Sequence, residues 1–71
     1  MPRKIRQLKA DLRRAGARQV AQEGSHTKWP HPQVTGLLIE LSGADGDDAK
    51  AYQERDLQAA LRRIEEAVRR T

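Results

Sequence analysis

The sequence predicts an α+β domain with element order α-β-β-β-α, a three-stranded antiparallel sheet with two helices packed on one face. Near the start, Ile5, Leu8, Leu12 and Ala15 recur at intervals of three and four residues, a spacing that lines them along one side of a helix. Near the end, Leu57, Ala60, Leu61, Ile64 and Val68 do the same. Between them, Leu37, Ile39 and Leu41 alternate with other residues, the period of a strand that buries one face. At 71 residues the chain has room for one core, and a layer of helices on a sheet is a compact way to build it.

The first helix is expected at about residues 3 to 15, closed by Gly16. Glycine adopts the left-handed conformation that ends a helix, and Arg13 and Arg14 suit the negative end of the helix dipole. Ala17 to Glu23 is expected to be a weak strand, bounded by Gly16 and by the Gly24-Ser25 turn signal, with Val20 its only β-branched residue. Ser25 to His31 is a second short strand that finishes near Pro30, because proline is tolerated only at the edges and ends of a sheet. Gln33 to Gly36 reads as a turn, and Leu37 to Leu41 as the best strand, with Leu38 and Glu40 on its other face. The polar segment Ser42 to Asp48 has no apolar period and is expected to be an exposed, mobile loop. The closing helix is expected at about residues 52 to 69, with Glu65 and Glu66 within three or four residues of Arg partners.

Cysteine is absent, which excludes disulfides, thiolate metal sites and a cysteine nucleophile and is compatible with a reducing compartment. The longest apolar run is Leu37-Leu38-Ile39, far short of the ~20 residues of a membrane span. Arg6, Lys9 and Asp11 interrupt the segment after the basic start, so no signal-peptide pattern follows it and a cytoplasmic location is expected. The net charge of +4 is unevenly placed. Residues 1 to 18 hold seven basic residues and one acid, whereas residues 40 to 56 hold six acids against Lys50 and Arg55. A basic first segment is what a binder of polyanions shows.

A short basic helix, Gly24-Ser25-His26 leading into Trp29, then His31-Pro32, a hydrophobic strand and a closing helix resemble the HicA family of toxins across nearly the whole chain. Gly46-Asp47-Asp48-Ala49-Lys50 with Tyr52-Gln53 resembles one branch of it. The resemblance implies a fold similar to double-stranded-RNA-binding domains. It also implies the toxin of a toxin-antitoxin pair, an endoribonuclease that cleaves mRNA and is held inactive by a HicB-like antitoxin. The catalytic histidine of the family's second strand maps to His26.

The chemistry fits that assignment. In RNA the 2′-hydroxyl attacks the adjacent phosphate, and an imidazole can take or return the proton, so neither a metal nor another cofactor is required. Lys28 lies two residues along the strand and so on the same face as His26, where a cation would neutralise the phosphate. Gly24 and Ser25 are candidates to present backbone N–H groups to a phosphate, and Lys4, Arg6 and Arg13 to supply salt-dependent RNA affinity. A non-catalytic RNA-binding module is the alternative that the same residues allow.

His31 is a weaker second candidate, because five positions along an extended strand turn the two rings to opposite faces, ~17 Å apart. Trp29, also opposite His26, is expected in the core rather than stacked on a base. Asp45, Asp47 and Asp48 match no complete calcium loop and read as an acidic lead into the second helix.

Overall fold

The computed structural model describes residues 2–70. Its order is α1 (Ile5–Arg14), β1 (Ala21–Glu23), β2 (His26–His31), β3 (Val34–Ser42) and α2 (Ala51–Arg69), and the antiparallel strands lie in the order β1-β2-β3. This is the expected α-β-β-β-α arrangement. Ile5, Leu8 and Leu12 of α1 and Leu57, Ala60 and Ile64 of α2 are buried against Trp29, Ile39 and Leu41 of the sheet. Both helices therefore cover the same sheet face.

Two turns set the strand register. Glu23 pairs with His26, leaving Gly24-Ser25 as a two-residue hairpin loop. Gly24 has φ 61°, and no residue other than glycine has positive φ among those described. A first loop residue with positive φ followed by one without is the type II′ pattern, which asks for glycine first and matches the twist of the strands. At the other end of β2, Pro32 and Gln33 form the turn and β3 begins at Val34.

The expected turn over Gln33 to Gly36 is therefore corrected. Pro30 pairs with Leu38 but His31 pairs with Val34, so the register shifts at Pro30/His31. Thr35, Gly36 and Leu37 are accommodated as a bulge, with Gly36 at φ 84°. A bulge adds residues to one strand and absorbs a proline that cannot donate to the ladder.

The first strand is also shorter than expected, starting at Ala21 rather than Ala17. Backbone bonds from Val20 N to the Lys28 carbonyl (3.0 Å) and from Arg18 N to the Pro30 carbonyl (3.2 Å) continue its contact with β2. Ala17 turns into the core at 3% exposure.

The segment from Ser42 to Asp48 is exposed at its tip but is not the untethered loop expected. Carbonyls of Asp47 and Asp45 accept the N–H groups of Ile5 (2.9 Å) and Arg6 (3.1 Å), and Ala49 N donates to the Arg3 carbonyl at 2.7 Å. The bonds from Ile5 and Arg6 occupy donors that the first turn of any helix leaves without an internal partner. The Asp45 carboxylate adds an ion pair to Lys9 at 2.7 Å, and Asp48 pairs with Lys4. The acidic stretch thus caps α1 as well as leading into α2. No helix among the described residues is long and apolar enough to cross a membrane.

Candidate active site

Alternation along β2 divides its residues between two environments. Thr27, Trp29 and His31 point under the helices, whereas His26 and Lys28 are exposed on the open face. Trp29 is fully buried, as expected, and its indole N–H donates to the Thr27 hydroxyl at 2.9 Å. The Arg13 guanidinium lies 5.2 Å from the centroid of its ring, a cation–π distance.

The two histidines are separated as the strand period requires. His31 is 7% exposed. Its Nε2–H donates to the Ala15 carbonyl at 2.8 Å, and its Nδ1 accepts the Gln33 backbone N–H at 3.0 Å. These partners fix the tautomer with the proton on Nε2, since a carbonyl only accepts and a backbone amide only donates. Both ring nitrogens serve to join the end of α1 to the β2–β3 turn, so His31 is a structural pin.

His26 heads β2, across from Ser42 of β3 and Glu23 of β1. Lys28 faces Glu40 and Ala21 in the same register, so the open face presents His26, Lys28, Glu40 and Glu23 close together. Beside them is a hollow of about 420 Å³, lined by His26, Leu38, Glu40, Ser42, Tyr52 and Asp56. It lies where the start of α2 passes the β3 edge of the sheet.

Gly24, Ser25 and Arg13 come together elsewhere. With Lys9, Gln19 and Gln22 they line a second hollow of about 490 Å³ on the helix side of the sheet. Gly24 and Ser25 are the hairpin tip that leads directly into His26, so this polar hollow and the imidazole occupy opposite sides of one turn. Lys4 is engaged elsewhere, in its ion pair with Asp48. Arg6 is exposed on α1 near the acidic loop, and Arg6 and Arg13 add to the field that holds Asp45 ionised.

That field is led by Lys9, whose hydrogen bond and charge hold the Asp45 carboxyl below its ordinary value. The charge at the entrance to the second hollow is therefore shared between Lys9 and Asp45. Among the described residues no group of three or more acidic, histidine or cysteine side chains is placed to hold a metal ion.

Glu40 and Asp56, which line the His26 hollow, were not singled out in the sequence as site residues, and neither were Gln53 and Tyr52. Gln53 is buried at 3% exposure, and its amide donates to the Ser42 carbonyl (3.0 Å) and hydroxyl (3.1 Å). Its position four residues before Leu57 on the apolar stripe of α2 is the signal that marks it as buried. Tyr52 is 46% exposed and shares the His26 hollow; no local pattern indicates that, because it depends on how α2 approaches the sheet.

No family profile, curated protein or solved structure matches the chain.

Proposed function

We propose that the chain is an RNA-cleaving domain of the kind the HicA resemblance implies, with His26 as its catalytic residue. The observation that carries this reading is the contrast between the two imidazoles. His31 has both ring nitrogens bonded inside the fold, whereas His26 is exposed beside Lys28 at the end of a hairpin. RNA would enter along the Arg13, Gly24 and Ser25 side of the tip and bring its phosphate to the imidazole, with Lys28 just beyond it on the same face.

In the proposed step the His26 imidazole takes the proton of a 2′-hydroxyl. The 2′-oxygen forms a bond to the adjacent phosphorus, and the bond from phosphorus to the 5′-oxygen breaks. That oxygen takes a proton from water, leaving a 2′,3′-cyclic phosphate and a 5′-hydroxyl, and the imidazolium later returns its proton to solvent. General base catalysis of this kind contributes roughly 10²- to 10⁴-fold, and Lys28 would offset the charge that grows on the phosphate. No metal ion enters the step. An acidic HicB-like antitoxin covering the basic surface would block entry.

Glu40 and Asp56 in the His26 hollow favour a second reading, a non-catalytic RNA-binding module, because carboxylates there oppose a phosphate. One assay separates the two. Wild type and His26→Ala are incubated with a labelled RNA, with and without chelator, and the products and their end groups are identified. Cleavage to cyclic-phosphate ends that the chelator leaves intact and the substitution abolishes is the expected result. RNA that is bound but never shortened would establish the second reading.

A further inference from the structure

We infer that the hollow formed by Tyr52, Glu40 and Asp56 next to His26 is a base-reading pocket that selects guanine in single-stranded RNA. The inference rests on the proposed cleavage activity and names the substrate class of the same site. It starts from a mismatch of charge. A surface that held phosphate at this point would be cationic, yet the hollow beside His26 is walled by the carboxylates Glu40 and Asp56, with Lys28 outside its lining.

Carboxylates only accept hydrogen bonds, so the complementary ligand is a group rich in N–H donors. Among the nucleobases, guanine presents two adjacent donors, N1–H and the N2 amine, which one carboxylate can accept together in the bidentate geometry familiar from arginine. Adenine and cytosine present one amine on that edge, and uracil one imide N–H. The second carboxylate would be left to accept a ribose hydroxyl.

Tyr52 supplies the other half of a base pocket. It is the one tyrosine in the chain, nearly half exposed although aromatic, and at the second position of α2. An exposed ring beside a catalytic group offers a face on which an unstacked base can lie, as in proteins that bind single strands. Leu38, half exposed on the open sheet face, extends that apolar floor. A duplex could not use such a pocket, because its bases are stacked and their pairing edges occupied. The hollow, about 420 Å³, is within the range of small-ligand pockets.

Lys28 and Glu40 face each other across the sheet, so the two jobs lie side by side: the lysine receives the phosphate, and the hollow beyond Glu40 receives the base.

The test is a set of short single-stranded RNAs that differ at one position, carrying guanosine, inosine, adenosine or uridine 5′ to the cleavable bond. Each is cleaved by wild type, Tyr52→Ala, Tyr52→Phe, Glu40→Gln and Asp56→Asn, with kcat/KM as the readout. Guanosine is expected to lead inosine by roughly 5- to 100-fold, the discrimination typical of a bidentate base contact. At least one of Glu40→Gln and Asp56→Asn should abolish that preference, bringing kcat/KM on guanosine down to that variant's own value on inosine. Tyr52→Ala should lower kcat/KM by a similar factor on every substrate, and Tyr52→Phe should restore it.

Equal cleavage of all four RNAs by wild type, or a preference that survives both carboxylate substitutions, overturns the pocket and leaves the cleavage activity standing. Absence of cleavage by wild type on every RNA overturns the cleavage reading itself. In that case the same RNAs are compared by binding, where a guanine preference that is lost in the carboxylate variants still supports the pocket.

Discussion

Gln53 donates its side-chain amide to both the carbonyl and the hydroxyl of Ser42, and Ser42 is the residue paired with His26 across the sheet. The same glutamine accepts the Lys50 backbone N–H at 3.0 Å, so one side chain ties the end of β3 to the start of α2. Gln7 plays the corresponding part at α1, accepting the Lys4 N–H at 2.7 Å. Gln53 is thus a positioning residue: it fixes the strand end that faces His26 and holds the Tyr52 turn of α2 against it.

Replacing Gln53 by Ala leaves the Ser42 carbonyl and the Lys50 amide without their partner. A lost buried bond of this kind costs about 1–3 kcal/mol, and each 1 kcal/mol lowers Tm by about 4–8 °C in a domain this small. Thermal unfolding followed by Trp29 fluorescence checks it, because the buried indole becomes solvated on unfolding. A Tm within 2 °C of wild type, on the order of the scatter of surface substitutions, would show that the glutamine contributes no net stability.

The two histidines should respond in opposite ways. His26→Ala removes an exposed side chain and should change stability by less than about 0.5 kcal/mol, while abolishing cleavage. His31→Phe leaves the Ala15 carbonyl and the Gln33 amide unpaired and should cost about 1–3 kcal/mol, with cleavage by the remaining folded protein unchanged. Urea unfolding and the RNA assay on the same samples check both halves. Loss of cleavage in a folded His31 variant would assign that ring a role beyond the one its hydrogen bonds give it.

Gly16 closes α1 at φ 95°, and a Cβ there would stand 3.0 Å from His31 Nε2. Gly16→Ala therefore combines an unfavourable backbone conformation, about 1–2 kcal/mol, with pressure on the ring that bonds Ala15. The loss of stability should be smaller in the His31→Ala background, where the contact is gone. A double-mutant cycle measures that coupling, and strict additivity would mean the contact is relieved at no cost.

The sequence exposes some of these relationships and conceals others for physical reasons. The helices and the buried face of β3 are legible because Ile5, Leu8, Leu12 and Leu37, Ile39, Leu41 mark their periods directly. The opposite placement of His26 and His31 follows from the same strand period. The capping of α1 is concealed, because the atoms that do it are the backbone carbonyls of Asp45 and Asp47, and any residue carries a carbonyl. The early start of β3 is concealed because the Thr35-Gly36 bulge looks like a turn until the pairing of His31 with Val34 is known. Tyr52 beside His26 depends on the docking of α2, which no local pattern specifies.

Asp11 gives the fold a pH dependence whose sign can be worked out. Its carboxylate accepts a hydrogen bond from Arg3 at 2.6 Å and another from Arg14, and these guanidinium groups, Arg3 foremost, hold it below its ordinary value of 3.8. Between the lowered folded value and 3.8 the unfolded chain binds a proton that the folded one does not, so stability rises with pH there. The contribution is fully present above 3.8 and is lost as pH falls through the folded value. Partial exposure of Arg3 limits it to about 1 kcal/mol. Urea unfolding of wild type and Asp11→Asn should therefore differ most above about pH 5 and converge towards about pH 2. The Asp45–Lys9 pair is common to both proteins and cancels in the comparison. A difference that stays constant across that range would show that Asp11 acts through hydrogen bonds its protonated form keeps, and not through its charge.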